Sequence, residues 1–173
     1  MPENNEYLSL IERIEDVFGD VPYPGDDDLI STPDHVKACE ECGGLHKSLA
    51  GKTWREVCDN HELAGELSHA MSFFSAAGWQ YYLPAYLIQR VRHRAFSSSD
   101  FAPDNDPQLV EYWNRRIERL TVAQCGCVVA YLLIVRQENH GNSYEMESDK
   151  EAVEYWKENY QKLLSENNAA QTT

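Results

Sequence analysis

The sequence lacks a hydrophobic run long enough to cross a membrane. A membrane-spanning helix needs about 20 consecutive apolar residues, and the longest candidate, from Val128 to Val135, is far shorter. The first residues, Met1-Pro2-Glu3-Asn4, are polar and acidic, whereas a secretory signal begins with a basic and then an apolar region. We therefore expect a cytoplasmic protein that makes no membrane contact.

Basic residues are scarce. The chain of 173 residues has 15 Lys and Arg against 29 Asp and Glu, a net charge of −14 at pH 7 with histidine neutral. Residues 1–70 hold 16 acidic and 5 basic side chains, residues 71–136 hold 5 and 7, and residues 137–173 hold 8 and 3. Because nucleic-acid binding requires cationic surface, we expect no nucleic-acid partner. A basic protein would be attracted, although solubility alone also accounts for an acidic chain.

Catalytic motifs are absent from the sequence as well. It has no Ser-His-Asp order, nucleotide-binding glycine motif or phosphate loop. His61-Glu62 begins a string similar to a zinc-peptidase motif, but Gly65 stands where the second histidine is required. We expect the protein not to be an enzyme. The alternative is an enzyme with an unrecognised site built from His61, His69 and nearby acids.

The near-neutral middle of the chain carries a group of arginines that has two interpretations. They could together bind an anion, or they could pair with the protein's own acidic segments, which is the simpler expectation. The arginines are Arg90, Arg92, Arg94, Arg115, Arg116 and Arg119.

The spacing of apolar residues predicts a mainly α protein. We expect a single compact helical domain of five to six helices in residues 1–166 and a disordered tail at 167–173, with one or two short strands in residues 20–34 or 139–147. The aromatic-rich segment 71–88 is predicted to be the buried centre, with Pro84 opening or kinking a helix. Capping-box patterns that mark helix starts begin at Thr53, Thr121 and Ser148.

Five cysteines, an odd number, favour thiols or metal ligands over disulfides in a cytoplasmic protein. The most suggestive pattern is His35-x3-Cys39-x2-Cys42-x3-His46, because a Cys-x2-Cys turn can place two thiolates on one zinc ion and the histidines can complete a tetrahedral site. The alternative is an unmetallated cysteine pair near a helix end. We therefore expect either no cofactor or zinc held by His35, Cys39, Cys42 and His46.

An acidic loop is the predicted partner-facing segment. Asp26, Asp27 and Asp28 follow two prolines and a glycine, which exclude regular structure. The run lacks the alternating ligands of an EF-hand loop, so calcium is not favoured. We predict that these aspartates, together with Glu40 and Glu41, bind a partner.

Several segments in this order resemble a family of small bacterial domains of unknown function. The resemblance covers roughly residues 8 to 160, and its most specific string is Tyr81-Tyr82-Leu83-Pro84-Ala85-Tyr86-Leu87. The other segments are Val21-Pro22-Tyr23-Pro24-Gly25-Asp26-Asp27, the Cys-x2-Cys pair, Trp54-Arg55-Glu56, Leu120-Thr121 and Tyr155-Trp156. The resemblance implies a bacterial, mainly helical domain and no particular reaction.

Size, acidity and the missing catalytic motifs together favour a binding function. We expect an acidic immunity protein that neutralises a basic bacterial toxin domain by direct binding. The alternative is a small regulatory or structural domain supported by zinc. The sequence predicts no oligomeric state.

Overall fold

The fold follows from a computed structural model that describes residues 5–30, 32–102, 107–139 and 145–171. These residues form nine α-helices and two short 3-10 turns, at Asp26–Asp28 and Ser99–Phe101. The helices are α1 (Asn5–Val17), α2 (Pro33–Ala38), α3 (Glu40–Leu49), α4 (Trp54–Asp59), α5 (His61–Ala70), α6 (Ala76–Arg92), α7 (Pro107–Ile117), α8 (Val122–Glu138) and α9 (Glu145–Gln171).

The prediction of a mainly helical protein is confirmed, but five to six helices is too few. The excess arises between residues 33 and 70, where four short helices follow one another. Cys39 and Asn60 have extended backbones, and each ends one helix and begins the next. Gly51, with φ of 71°, lies in the turn between α3 and α4. A single extended residue between two helices leaves no gap in the hydrophobic periodicity, so the breaks at Cys39 and Asn60 are hidden in the sequence.

Strands are not found among the described residues. An isolated antiparallel bridge joins Ile30 to Phe74. Ile30 lies in the segment 20–34, which is one of the two segments predicted to hold a short strand. Residues 140–144 of the other option lie outside the described residues. The chain is helical at 167–171, where we predicted a disordered tail, and Ala169 and Ala170 favour the helix.

Helix α6 is the centre of the fold and contacts α1, α4, α5, α7 and α8. Twelve of its residues are buried, and Pro84 lies inside the helix rather than at its first turn. The indole of Trp79 meets those of Trp113 and Trp156, with ring centroids 5.9 and 6.3 Å apart. These rings join α6, α7 and α9, as expected if the aromatic segment is the core.

The capping boxes at Thr53 and Thr121 are confirmed, with both reciprocal hydrogen bonds present in each. The one predicted at Ser148 is wrong, because α9 begins at Glu145 and Ser148 is already inside it. None of the helices in the described part of the chain is long and apolar enough to span a membrane.

Candidate functional site

The acidic turn Asp26–Asp28 is attached to the N-terminus of α6. The hydroxyl of Ser75 donates to the backbone oxygen of Asp28 at 2.6 Å, and its N–H donates to the backbone oxygen of Leu29 at 3.1 Å. Gly78 allows this approach, since a Cβ there would lie 2.2 Å from the Leu29 oxygen. The turn therefore has a fixed position against the core helix.

Asp26 holds the turn together internally. Its carboxylate accepts hydrogen bonds from the Tyr23 hydroxyl and from the Gly51 N–H, the latter at 2.9 Å. The bond from Tyr23 lowers the pKa of Asp26, while burial and the neighbouring carboxylate raise the pKa of Tyr23 to about 12. Asp27 and Asp28 are exposed and their carboxylates have no such ties among the described residues. Asp26 thus stabilises the acidic turn, whereas Asp27 and Asp28 face solvent.

Helices α2 and α3 meet at a sharp junction at Cys39. Thr32 caps α2 by accepting from the His35 N–H at 3.2 Å, and the Cys39 N–H donates to the His35 carbonyl at 2.8 Å. The extended backbone of Cys39 then starts α3. As a result, the side chains of His35 in α2, Cys39 at the junction and Cys42 in α3 converge.

These three side chains are the candidate metal ligands. One ligand atom each from His35, Cys39 and Cys42 lies within 4.8 Å of the others. His35 is exposed, Cys39 is half-buried and Cys42 is buried. One imidazole and two thiols are donors that zinc prefers. His46, predicted as the fourth ligand, instead places its Nε2 3.0 Å from the backbone oxygen of Asp26.

The two cysteines differ in acidity. The backbone N–H of Cys42 and then the Cys42 thiol donate hydrogen bonds to Cys39, which lowers the pKa of the Cys39 thiol. Burial raises the pKa of Cys42 to about 11. Cys39 is therefore the thiol more ready to release its proton to a metal ion.

Glu40 and Glu41 occupy the first turn of α3 and are exposed. Acidic residues at this position stabilise a helix through its dipole, which gives them a structural reason to be there. Glu41 lines a groove with Glu66 and His69, whereas Asp26 and Asp27 line another with His46. Of the five acidic residues predicted to bind a partner, three are thus divided between these two grooves, and Asp28 and Glu40 line neither.

His61 and His69 both lie on α5 but line different grooves, so the structure does not bring them together. Instead, the ring of His61 meets that of His93, with centroids 6.2 Å apart. Sequence reasoning missed this pair, because His93 is 32 positions away and its only signal is its place in the arginine-rich segment.

Internal pairing accounts for several of the arginines. Arg90 pairs with Asp100 at 3.5 Å, Arg92 with Asp59 at 3.4 Å and Arg115 with Glu111. Arg116 is buried without a carboxylate among the described residues and lies 3.7 Å from the centroid of the Tyr112 ring. Burial lowers the pKa of Arg116 to about 10.

The remaining cysteines are protected thiols. Cys58, Cys125 and Cys127 are buried and free. Burial raises the pKa of Cys125 to about 12 and that of Cys127 to about 11. Their burial fits the role of small hydrophobic residues.

The fold and this site define an all-helical protein with an attached acidic turn beside a candidate His-Cys-Cys metal centre. The chain belongs to a family of unknown function (DUF6714), whose match covers residues 6–160. No curated protein and no solved structure matches the chain. The family therefore indicates no reaction for this chain.

Proposed function

We propose that this chain is a non-enzymatic acidic protein that binds a cationic protein partner directly. In its finer form, the proposal is that the chain is an immunity protein and that the partner is a basic bacterial toxin domain. A net charge of −14 favours such a partner, because complementary charge accelerates encounter and suppresses wrong partners. The proposal gives the residues of this surface no catalytic role.

The observation that carries the proposal is the attached acidic turn. Asp27 and Asp28 are exposed, and the backbone beneath them is held by Ser75 and by the carboxylate of Asp26. A surface that is already ordered loses less conformational entropy on binding than a flexible loop. Two exposed carboxylates on a fixed turn are therefore suited to meet Lys or Arg side chains of a partner.

The test is co-expression with a toxin domain encoded next to this gene. Host survival and a stable complex of the two chains are the expected results. The variant Asp27→Lys/Asp28→Lys should weaken the complex about tenfold or more, as for loss of close interfacial charge pairs. Glu118→Lys is the matched control, because Glu118 is exposed just after the end of α7, in the near-neutral part of the chain.

Raising the salt concentration should slow association of the wild-type chain, since surface charges are screened within about 8 Å at physiological ionic strength. Unchanged killing of the host in the presence of the wild-type chain would sink the immunity role. Equal affinities of the double variant and Glu118→Lys would show that the turn is not the binding surface, whatever the partner.

A second candidate function, a domain supported by zinc, is favoured by the cluster of His35, Cys39 and Cys42. The donor atoms are of the types zinc prefers and converge from α2, the junction and α3. Zinc held there would join the two helices and would leave one tetrahedral position for a ligand outside the cluster. His46 is not needed for this site.

Metal analysis of protein purified without a metal-affinity column tests this candidate. We expect close to one equivalent of zinc in the wild type and in His46→Ala, and strong loss in His35→Ala, because His35 belongs to the cluster of donor atoms and His46 does not. Less than about a tenth of an equivalent in the wild type would remove the candidate, because a structural site should be nearly filled. Equal loss in both histidine variants would instead restore His46 as a ligand.

A further inference from the structure

A cavity of about 160 Å³ lies between α5 and α6, away from the acidic turn. Its polar and small lining residues come from one face of each helix, at positions three or four apart, as helical geometry requires. They are His61, Gly65 and Ser68 of α5, Gln89 and Arg90 of α6, and His93 directly after α6. Because His61, Gly65 and His93 are exposed, the cavity is open to solvent, and its volume has room for a small ion.

The cavity exists because α5 presents small residues to α6. Ala64 and Gly65 lie where a bulky apolar side chain would normally fill the space between two helices, and a Cβ at Gly65 would meet no atom within 4 Å. Glycine inside a helix costs about 1 kcal/mol relative to alanine. The open space at Gly65 is thus not explained by close approach of the two helices.

The charge of the lining is the reverse of the charge of the chain. None of the described lining residues is acidic, although the sequence holds 29 Asp and Glu. The lining contains one arginine and two histidines instead. Three other grooves among the described residues each include a pair of acidic side chains, namely Glu118 and Glu166, Glu41 and Glu66, and Asp26 and Asp27. A lining that has an arginine and two histidines but no carboxylate favours an anionic ligand in an otherwise acidic protein.

Arg90 is held in position at this cavity. Its Nη1 donates to the Ala95 carbonyl at 3.1 Å, its Nη2 lies 3.5 Å from the Asp100 carboxylate, and its guanidinium lies 4.9 Å from the Tyr86 ring centroid. Its buried Nε has no hydrogen-bond partner among the described residues. Asp100 offsets part of the arginine charge, so the two histidine rings would act as donors to a ligand together with Arg90.

We propose that this cavity between α5 and α6 is a binding site for a small oxyanion, of the carboxylate or phosphate class. His61 and His93 donate ring N–H groups to the anion, Ser68 supplies a hydroxyl, and Arg90 contributes the fixed positive charge behind them. Gly65 keeps the space open. The site is separate from the acidic turn and does not depend on the binding function proposed above.

Calorimetric titration of the full chain with inorganic phosphate and with succinate tests the proposal and separates the two ligand classes. We expect saturable binding of at least one of them to the wild type. His61→Ala removes a donor and Gly65→Leu fills the cavity, and each should weaken binding about tenfold or more.

The matched controls lie outside the cavity. His69→Ala removes an exposed histidine from the same helix, and Gly44→Leu adds the same side chain in α3, where a Cβ also meets no atom within 4 Å. Both should bind the anion as the wild type does, and thermal unfolding of every variant establishes that it is folded. No saturable binding of either probe to the wild type would overturn the proposal. Equal affinities of Gly65→Leu and Gly44→Leu, both folded, would overturn it too.

Discussion

Replacing Gly78 by alanine is expected to destabilise the protein and to displace the acidic turn. Alanine normally strengthens a helix by up to about 1 kcal/mol relative to glycine. Here the added Cβ would lie 2.2 Å from the Leu29 backbone oxygen and 3.0 Å from its carbonyl carbon. Since these are backbone atoms rather than the end of a flexible side chain, the segment carrying Leu29 has to move.

The size of the effect follows from what that movement breaks. Inserting a methyl group into a closely packed contact costs about 1–3 kcal/mol. The two hydrogen bonds from Ser75 to the backbone of Asp28 and Leu29 are weakened at the same time, at about 1 kcal/mol each. After subtracting the helix-propensity gain, the expected net loss is about 2–4 kcal/mol.

Urea unfolding followed by tryptophan fluorescence measures this loss. Four tryptophans are present, and Trp79 lies next to the changed position. With a urea m-value of about 2 kcal/mol/M, the midpoint should fall by about 1–2 M. Gly65→Ala is the matched control, because its Cβ meets no atom within 4 Å and the same substitution should raise the stability by about 1 kcal/mol.

The sign difference between the two alanine variants is the decisive result. If Gly78→Ala were as stable as Gly65→Ala, the close approach of the acidic turn to α6 would be wrong, and so would the claim that the turn is preorganised.

Three further predictions concern single side chains. In protein treated with a chelator, iodoacetamide at pH 8 should modify Cys39 well before Cys125. The reason is that the pKa of the Cys39 thiol is lowered, whereas burial raises the pKa of Cys125 to about 12. Equal rates of modification, measured by mass spectrometry, would contradict this prediction. Arg116→Met should lower the unfolding free energy by about 2–4 kcal/mol, since it removes the hydrogen bond to the Phe74 carbonyl and the stacking on aromatic rings, and an unchanged urea midpoint would refute it. Asp26 has a lowered pKa in the folded state, so the stability that it adds is present above the unfolded pKa of about 3.9 and is lost as the pH falls through the folded pKa. Asp26→Asn should therefore make the free energy of unfolding depend less on pH in the acid range. A pH dependence identical to that of the wild type would count against the hydrogen bonds from Tyr23 and Gly51.

Local signals in the sequence were sufficient where a helix start depends on nearby residues. The capping boxes at Thr53 and Thr121 form as their spacing predicts, because both partners lie within one turn. Ser148 has the same pattern but is internal to α9. The pattern cannot exclude a helix that begins earlier, so capping residues mark permitted starts rather than actual ones.

The candidate sites were predictable to the extent that they depend on local spacing. His35, Cys39 and Cys42 meet because they flank one helix junction, and the Cys-x2-Cys motif indicates this. The position of His46 depends instead on the docking of the acidic turn, since its ring contacts the Asp26 carbonyl. The pairing of His61 with His93 depends on how α5 packs on α6. Contacts between distant segments carry no signature in the spacing of one segment.

Binding of a cationic partner by the acidic turn and binding of zinc by the cluster of His35, Cys39 and Cys42 are compatible in charge. Zinc held by Cys39, Cys42 and His35 would displace the protons of both thiols, so two thiolates would balance the charge of the ion and a neutral imidazole would add none. The carboxylates of Asp27 and Asp28 would then keep their full charge for a cationic partner. Because Asp27 and Asp28 lie outside the ligand set, the charge-reversal variant should retain zinc, and His35→Ala should retain both carboxylates. If the single variant His35→Ala also lost partner binding, the metal would be shown to order the surface rather than to supply its charge.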